Sequence, residues 1–205
     1  MSTLELTAPV RYFDRDFQVE STKILPGQYH ATSGEGSIST VLGSCVSTCL
    51  WDPVRRIGDM NHFMLPGDTG AAGDSPWGES ARFGVYAMEL LINRMVHLGA
   101  DRRRLQAKVF GGARVLQGFD TLDVGARNSE FVLGFLKEEG IEVAAQDLLG
   151  TSPRKVHFFP ATGKAQVKKL HLSSAAVQRQ ENEYLQRISR QPQAGGDIEI
   201  FRQRR

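Results

Sequence analysis

Cysteine is scarce in this chain, with only Cys45 and Cys49 among its 205 residues. Two cysteines argue against a disulfide scaffold and fit a reducing compartment. Long apolar runs are lacking too, since no stretch approaches the ~18 residues that a membrane helix needs. The N-terminal segment has no basic region followed by an apolar run, so it does not resemble a secretory signal. We therefore expect a soluble, cytoplasmic protein with no membrane insertion.

An excess of positive charge is also missing, because the formal net charge is only +2. No basic stripe is interleaved with aromatic residues, so we expect no nucleic-acid partner. The chain has neither a G-x-G-x-x-G fingerprint nor a P-loop, and Gly111-Gly112 is better explained as a tight turn than as an anion cradle. Cys45 and Cys49 lack the close spacing of paired zinc ligands, and no matched histidine pair follows. We expect neither a cofactor nor a metal.

Composition and periodicity predict a packed α/β domain of the layered α+β type. Hydrophobic residues make up 40% and charged residues 23% of the chain, which suits a buried core. Strands are predicted at 10–19, 38–51, 57–65, 105–110, 141–148, 155–159 and 165–171, and helices at 80–98 and 128–139. The runs 38–51 and 57–65 are expected to pair as a hairpin. This order predicts a flexible N-terminus at 1–9, one domain at 10–172, and a polar, partly helical C-terminal extension at 173–205.

The segment 67–78 is rich in glycine and other small residues. Such a composition is typical of a mobile surface loop. We interpret this segment, which directly follows Pro66, as a candidate lid or docking edge.

Two segments have the residues for nucleophilic chemistry. Cys45 follows Gly43-Ser44 within the apolar run at 38–51, and His62 lies in the run predicted to pair with it. A free thiol is mostly protonated at neutral pH, so a neighbouring histidine is needed to accept its proton and stabilise the thiolate. Backbone N–H groups near Cys45 are candidate oxyanion donors. Thr40 and Ser39 lie close to Cys45 in sequence and are the candidate hydroxyls to orient the imidazole.

A structural interpretation competes with this catalytic one. Cysteine is among the most often buried residue types and packs as a small hydrophobe, which is how we interpret Cys49. A histidine on an apolar strand is more often a core residue than a base. His157, in a later apolar strand, is the one rival to His62 for the role of base.

A set of short motifs, in order, resembles one family. It comprises Leu-Gly-Ser-Cys-Val at 42–46, Asp-Pro at 52–53, Met-Asn-His-Phe-Met-Leu-Pro at 60–66, Arg-Phe-Gly at 82–84, Ala-Lys-Val-Phe-Gly-Gly-Ala at 107–113, Gly-Ala-Arg-Asn at 125–128, Arg-Lys-Val at 154–156 and Pro-Ala-Thr-Gly at 160–163. The motifs lie between residues 42 and 163, and the resemblance covers about residues 10–163. On them the chain resembles the chemoreceptor glutamine deamidases, the CheD family.

The resemblance implies a layered α/β fold similar to the catalytic domain of cytotoxic necrotizing factor toxins. It implies hydrolysis of selected glutamine side chains on the cytoplasmic helices of methyl-accepting chemoreceptors, giving glutamate and ammonia. Some members also hydrolyse glutamyl methyl esters, and some bind a CheC-type phosphatase. The family nucleophile falls on Cys45, its histidine on His62, and its threonine on Thr40.

The sequence departs from the family pattern in two places. Asp147-Leu148-Leu149-Gly150 replaces the usual Asp-Leu-Gly-Gly, which alters a turn, and the chain beyond about 173 is longer than a minimal member needs. Two other functions remain open at this stage. One is a non-catalytic binding module that modulates chemoreceptor signalling or a CheC-type phosphatase, and the other is a thiol esterase acting on receptor methyl esters.

Overall fold

A computed structural model describes residues 8–66, 81–115, 123–170 and 175–189. Its strands are β1 (Val10–Asp14), β2 (Val19–Lys23), β3 (Tyr29–Thr32), β4 (Ser37–Leu42), β5 (Val46–Asp52), β6 (Ile57–Asn61), β7 (Gln106–Gly111), β8 (Glu142–Leu148), β9 (Arg154–Phe159) and β10 (Lys164–Lys169). Its α-helices are α1 (Ala81–His97), α2 (Val124–Glu138) and α3 (Ala175–Ser189), with a short 3-10 turn at Arg102–Arg104. None of the described helices is long and apolar enough to span a membrane.

The strands form two five-stranded sheets. The first has the order β1-β2-β4-β9-β10 and the second the order β3-β6-β5-β7-β8. One core lies between the two sheets and includes Cys45 and Cys49, while the other lies between the second sheet and helices α1 and α2. The mixed α/β architecture predicted from the sequence is therefore confirmed, with two sheets and three α-helices among the described residues.

The predicted hairpin is confirmed as β5 and β6, which pair antiparallel with Asp52 opposite Ile57. The second strand is shorter than the expected 57–65, because after Asn61 only an isolated bridge between Phe63 and Val46 continues the pairing. The run at 10–19 was expected to be one strand, and this is wrong. It contains β1 and a turn and ends at the first residue of β2, its antiparallel partner. Strand β3 has no counterpart in the sequence-based prediction.

The helices follow from apolar periodicity and from their caps. Helix α1 buries Met88, Leu91, Ile92 and Met95 on one face, and Gly99 follows it with a positive φ of 96°. Helix α2 begins at Val124, four residues before the predicted 128, because the Asp123 side chain accepts a hydrogen bond from the Ala126 N–H. That additional turn places Asn128 inside the helix, facing the core.

Candidate active site

The three predicted site residues come from different strands and meet where the two sheets join. Thr40 lies in β4 of the first sheet, and Cys45 in the segment 43–45 that carries the chain from β4 to β5. His62 directly follows β6 of the second sheet. All three side chains are almost completely buried. The crossing from one sheet to the other is therefore what brings sulfur, imidazole and hydroxyl together.

The hydroxyl of Thr40 fixes the tautomer of His62. Thr40 Oγ1 lies 2.9 Å from the Ile24 carbonyl oxygen, to which it donates, and 2.7 Å from His62 Nδ1. A hydroxyl has a single hydrogen, so with that hydrogen on Ile24 it can only accept from the imidazole. His62 then has its proton on Nδ1, and Nε2 keeps its lone pair. Among the described residues Nε2 has no hydrogen-bond partner, which leaves it available as a base.

The alternative residues face away from this cluster. The Ser39 hydroxyl lies 3.0 Å from the Tyr12 hydroxyl and accepts a hydrogen bond from the Ser21 hydroxyl at 3.3 Å. His157, the rival base, pairs in register with Ser39 on the neighbouring strand. Its ring packs on Phe17 at a centroid distance of 4.8 Å. Successive residues of a strand point to opposite faces, so Ser39 and His157 lie on the other side of the sheet from Thr40.

Cys45 lies in a cluster with His62 and with a residue that the sequence analysis did not single out. The sulfur of Cys45, a ring nitrogen of His62 and a carboxylate oxygen of Glu181 all lie within 4.8 Å of one another. Burial and the negative charge of Glu181, to which the thiol also hydrogen bonds, raise the pKa of Cys45 well above its usual value. Burial lowers the pKa of His62 to about 3. In this arrangement both groups are neutral at pH 7.

Three successive backbone N–H groups converge on the Glu181 carboxylate. Gly43 and Cys45 donate to Oε1 at 2.8 and 3.1 Å, and Ser44 donates to Oε2 at 2.8 Å. The Ser44 hydroxyl adds a fourth hydrogen bond at 2.7 Å. Successive N–H groups that point into one concavity form an anion-binding nest. Because the nest includes the N–H of Cys45 itself, it is placed to stabilise an oxyanion on an acyl group that the sulfur attacks.

Helix α2 and the turn after β7 hold the segment 43–45 in this shape. Asn128 is fully buried, donates to the Ser44 carbonyl oxygen at 2.9 Å and accepts from the Leu65 N–H at 2.9 Å. Gly112 donates its N–H to the Cys45 carbonyl oxygen at 2.8 Å. A Cβ at Gly111, whose φ is 112°, would lie only 2.2 Å from that same oxygen. The Gly-Gly pair is a tight turn after a strand, as predicted. It also packs directly on residues 43–45, the candidate nucleophile segment, which the sequence did not indicate.

The cluster of Cys45, His62 and Glu181 also has the donor types of a metal site. A carboxylate offers about four lone-pair positions, and on Glu181 these are already occupied by hydrogen bonds from the three N–H groups, the Ser44 hydroxyl and the Cys45 thiol. A cation would also have to lie against inward-pointing N–H dipoles. The donor set is therefore better suited to an anionic or acyl group than to a metal ion.

Cys49 has no part in the site. It lies in β5 opposite Met60, is 1% exposed, and belongs to the core between the sheets. The prediction that it is a core residue is confirmed. The predicted lid at 67–78 lies outside the described residues.

Two residues that contact the nucleophile segment were missed from the sequence. Asn128 lies in one of the motifs that carry the resemblance, and a buried amide within a helix is the signal that could have singled it out. Glu181 lies in a polar stretch whose composition indicated only a solvated extension. Its partners are more than 130 residues away, so no local pattern marks it.

A buried cysteine, a histidine with a free Nε2, a hydroxyl on Nδ1 and an N–H nest at the sulfur are the parts of a cysteine-dependent acyl hydrolase. Comparison with known proteins shows which family the chain belongs to. The family model described as CheD chemotactic sensory transduction matches residues 64–169. The chain belongs to the CheD family.

Several relatives match almost the whole chain. A protein of Shewanella oneidensis named probable chemoreceptor glutamine deamidase CheD 1 is 52% identical over 197 residues, covering 96% of this chain and 95% of that protein. A protein of the same name from Dechloromonas aromatica is 52% identical over 198 residues, with 96% of each chain covered. In Xanthomonas campestris pv. campestris, probable chemoreceptor glutamine deamidase CheD is 49% identical and covers 98% of this chain and 100% of that protein.

Among solved structures, the hypothetical protein YfiH of Bacillus licheniformis shows a partial similarity. The aligned region covers 60% of this chain and 49% of the YfiH chain. The TM-score is 0.33 and the sequence identity 13%. A similarity at this level carries no argument about the fold or the function.

Proposed function

We propose that this chain deamidates selected glutamine side chains on the cytoplasmic helices of methyl-accepting chemoreceptors, with Cys45 as nucleophile and His62 as base. Thr40 orients the imidazole, and the N–H groups of residues 43–45 bind the oxyanion. The observation that carries the proposal is the Glu181 carboxylate, held in the N–H nest beside the sulfur and the imidazole. A glutamate side chain is the product of glutamine deamidation.

The first half of the reaction forms a thioester. His62 Nε2 takes the proton of Cys45, and the sulfur attacks Cδ of the glutamine. The carbonyl oxygen becomes an oxyanion in the nest, and the C–N bond then breaks as His62 returns the proton to nitrogen. Ammonia leaves, and the acyl group remains on Cys45.

The second half releases the product with the same residues. A water molecule gives a proton to His62 Nε2 and attacks the thioester carbon, and the oxyanion forms again in the nest. The C–S bond breaks, the thiol of Cys45 regains its proton, and glutamate is released. A glutamyl methyl ester passes through the same thioester, with methanol as the leaving group, so we propose that activity as a secondary one.

Mass spectrometry of a receptor cytoplasmic fragment incubated with the purified chain tests the proposal. We expect the mass change of an amide NH2 replaced by OH on specific glutamines, with release of an equal amount of ammonia. Cys45→Ala should abolish this conversion. Cys49→Ala, a matched change of a buried core cysteine, should retain it. Equal conversion by the chain and by Cys45→Ala would contradict the proposal, and methanol release without ammonia would favour the esterase.

The binding module is the second candidate function, in which the chain modulates receptors or a phosphatase with its cysteine idle. A binding module would keep its full effect on receptor signalling in cells after Cys45→Ala. Cys45 lies within 4.8 Å of His62, whose ring Thr40 holds by a hydrogen bond, and this arrangement gives no support to an idle cysteine.

The remaining parts of the proposal rest on the family resemblance. They are a cytoplasmic location, a CheC-type phosphatase as a further partner, and a domain similar to the catalytic domain of cytotoxic necrotizing factor toxins. We also propose that residues 10–172 form the deamidase domain and that 173–205 are an extension of it.

A further inference from the structure

Helix α3 lies directly over the candidate active site. Glu181 fills the N–H nest, and the Gln178 side chain donates to the Val115 carbonyl oxygen. One turn after Glu181, Tyr184 packs on Gly27, where a Cβ would lie 3.0 Å from its ring. Gly27 in turn donates its N–H to the His62 carbonyl oxygen at 2.7 Å. The helix therefore covers the segments that carry both the nucleophile and the base.

The buried face of α3 is narrow and has one charged residue at its N-terminal end. Its buried residues are Glu181, Leu185 and Ile188, at spacings of four and three residues. Leu185 and Ile188 join the core between the sheets. Glu181 is only 1% exposed. Placing a carboxylate there costs free energy unless the site supplies donors for it, and the three nest N–H groups and the Ser44 hydroxyl supply them.

The space that Glu181 occupies depends on the sequence of the nucleophile segment. A Cβ at Gly43 would lie 2.8 Å from Glu181 Oε2 and 2.6 Å from Val115. The missing side chain at position 43 thus leaves room for an acyl group to reach the N–H donors. A glutamine side chain presented by another helix would need that same room.

We propose that α3 is a built-in competitive inhibitor, in which Glu181 occupies the substrate site as the deamidation product presented on a helix. This inference rests on the proposed function. A receptor helix bearing a glutamine and α3 then bind the same surface in mutually exclusive ways. With α3 in place the sulfur is shielded from solvent and no second side chain can enter the nest.

The self-conversion of a Glu181→Gln variant tests this inference most directly. The variant places a side-chain amide where the product carboxylate lies, so Cys45 Sγ attacks its Cδ, ammonia leaves, and water hydrolyses the thioester to glutamate. We expect peptide mass spectrometry to find glutamate at position 181, increasing with time. The double variant Cys45→Ala, Glu181→Gln should keep its glutamine. Gln178, on the same helix but bonded to Val115, is an internal control that should stay an amide.

The release of inhibition is tested with variants that weaken the docking of α3. Glu181→Ala removes the carboxylate, and Leu185→Ser leaves the carboxylate but removes an apolar anchor. Their matched controls on the exposed face are Glu183→Ala and Gln186→Ser. The readouts are receptor deamidation and the rate at which iodoacetamide alkylates Cys45. If α3 covers the site in about nine-tenths of the molecules, it lowers the deamidation rate and the alkylation rate about tenfold. We therefore expect both rates to rise about tenfold or more in the two variants, but not in their controls.

The outcomes separate this inference from the proposed function. Faster alkylation and self-conversion without any receptor deamidation would support the inhibitor and contradict the receptor as substrate. Receptor deamidation with an intact glutamine at 181 and no gain in either rate would contradict the inhibitor and keep the deamidase. In that case Glu181 is a structural partner of the nest.

Discussion

The Nδ1 atom of His62 lies 2.7 Å from the hydroxyl of Thr40, whose own hydrogen is donated to the Ile24 carbonyl oxygen. This chain of two hydrogen bonds runs from the first sheet to the second. It determines which ring nitrogen is available to Cys45. The hydroxyl therefore holds the imidazole in place, and in the proposed mechanism this makes Thr40 a positioning group for the base.

Thr40→Val keeps the shape of the side chain but removes the hydroxyl. We expect kcat for receptor deamidation to fall about tenfold or more with little change in KM, because a lost buried hydrogen bond of about 1.5 kcal/mol is a factor of ten in rate. Steady-state kinetics measure the split between kcat and KM. Thr40→Ser restores the hydroxyl and should recover most of the rate. A valine variant as active as the parent would show that the hydroxyl does not position His62.

Asn128 links helix α2 to the two segments that carry Cys45 and His62. Asn128→Ala leaves the Ser44 carbonyl oxygen and the Leu65 N–H without their side-chain partner. Each unpaired buried group costs about 1–3 kcal/mol, so for the two groups we expect the free energy of unfolding to fall by about 2–6 kcal/mol, together with a loss of kcat. Chemical denaturation and deamidation assays measure the two effects.

Ser129→Ala is the matched control for Asn128, because within the described part of the chain the Ser129 hydroxyl bonds to the Gly125 carbonyl oxygen of the same helix. It should lower stability by about 1 kcal/mol and leave the rate unchanged. If both variants lost the same stability and neither lost activity, Asn128 would have no role in holding the nucleophile segment.

Much of this architecture could be predicted from the sequence. Apolar periodicity predicted α1, and two runs rich in apolar residues predicted the β5–β6 hairpin, although its second strand ends at Asn61 and not at the expected 65. The approach of Cys45 to His62 followed from that hairpin, since a short connection makes two strands neighbours. The choice of Thr40 over Ser39 came from the family resemblance, because either hydroxyl was close enough in sequence.

The missed features depend on contacts that have no local pattern. Strand β3 pairs with β6 at an edge, where half-buried residues show no clear alternation. Helix α3 was expected to be only partly helical because it has a small apolar face. Its position over the site depends on Glu181, whose partners are three backbone N–H groups far away in sequence. Backbone donors leave no signature in a sequence.

Asp52 should make stability depend on pH at the acidic end. Burial alone would raise its pKa, but hydrogen bonds from the Arg104 side chain and from the N–H groups of Asp101, Arg55 and Val54 bring it down to about 2. A carboxyl with a lowered folded-state pKa contributes stability that is present above its unfolded pKa, near 4, and is lost as the pH falls through about 2. The change is about 1–2 kcal/mol after allowance for screening by solvent.

Urea unfolding between pH 5 and pH 2 measures this contribution. Asp52→Asn should be less stable at neutral pH, and the difference from the parent should shrink as the pH falls towards 2. Asp16→Asn, on an exposed turn, is the control and should follow the parent curve. A constant difference between Asp52→Asn and the parent at every pH would show that the ionised carboxylate contributes nothing.

Leu149 has a backbone conformation that suits glycine. Its φ is 64°, and it follows β8 in the turn where the family pattern has a glycine. A left-handed conformation costs a residue with a Cβ about 1–2 kcal/mol, while glycine loses about 0.5–1 kcal/mol through its greater freedom in the unfolded chain. We therefore expect Leu149→Gly to raise the free energy of unfolding by about 0.5–1 kcal/mol.

Thermal and chemical unfolding of Leu149→Gly and Leu149→Ala separate backbone strain from the loss of the side chain. The leucine is 47% exposed, so the alanine variant loses little packing and keeps the strain, and its stability should stay close to that of the parent. The Leu149 N–H donates to the Gly111 carbonyl oxygen, and Gly111 packs on the Cys45 carbonyl. A glycine that relaxes this turn without moving Gly111 should leave deamidation unchanged. A loss of stability in the glycine variant would mean that the side chain contributes more than the strained backbone costs.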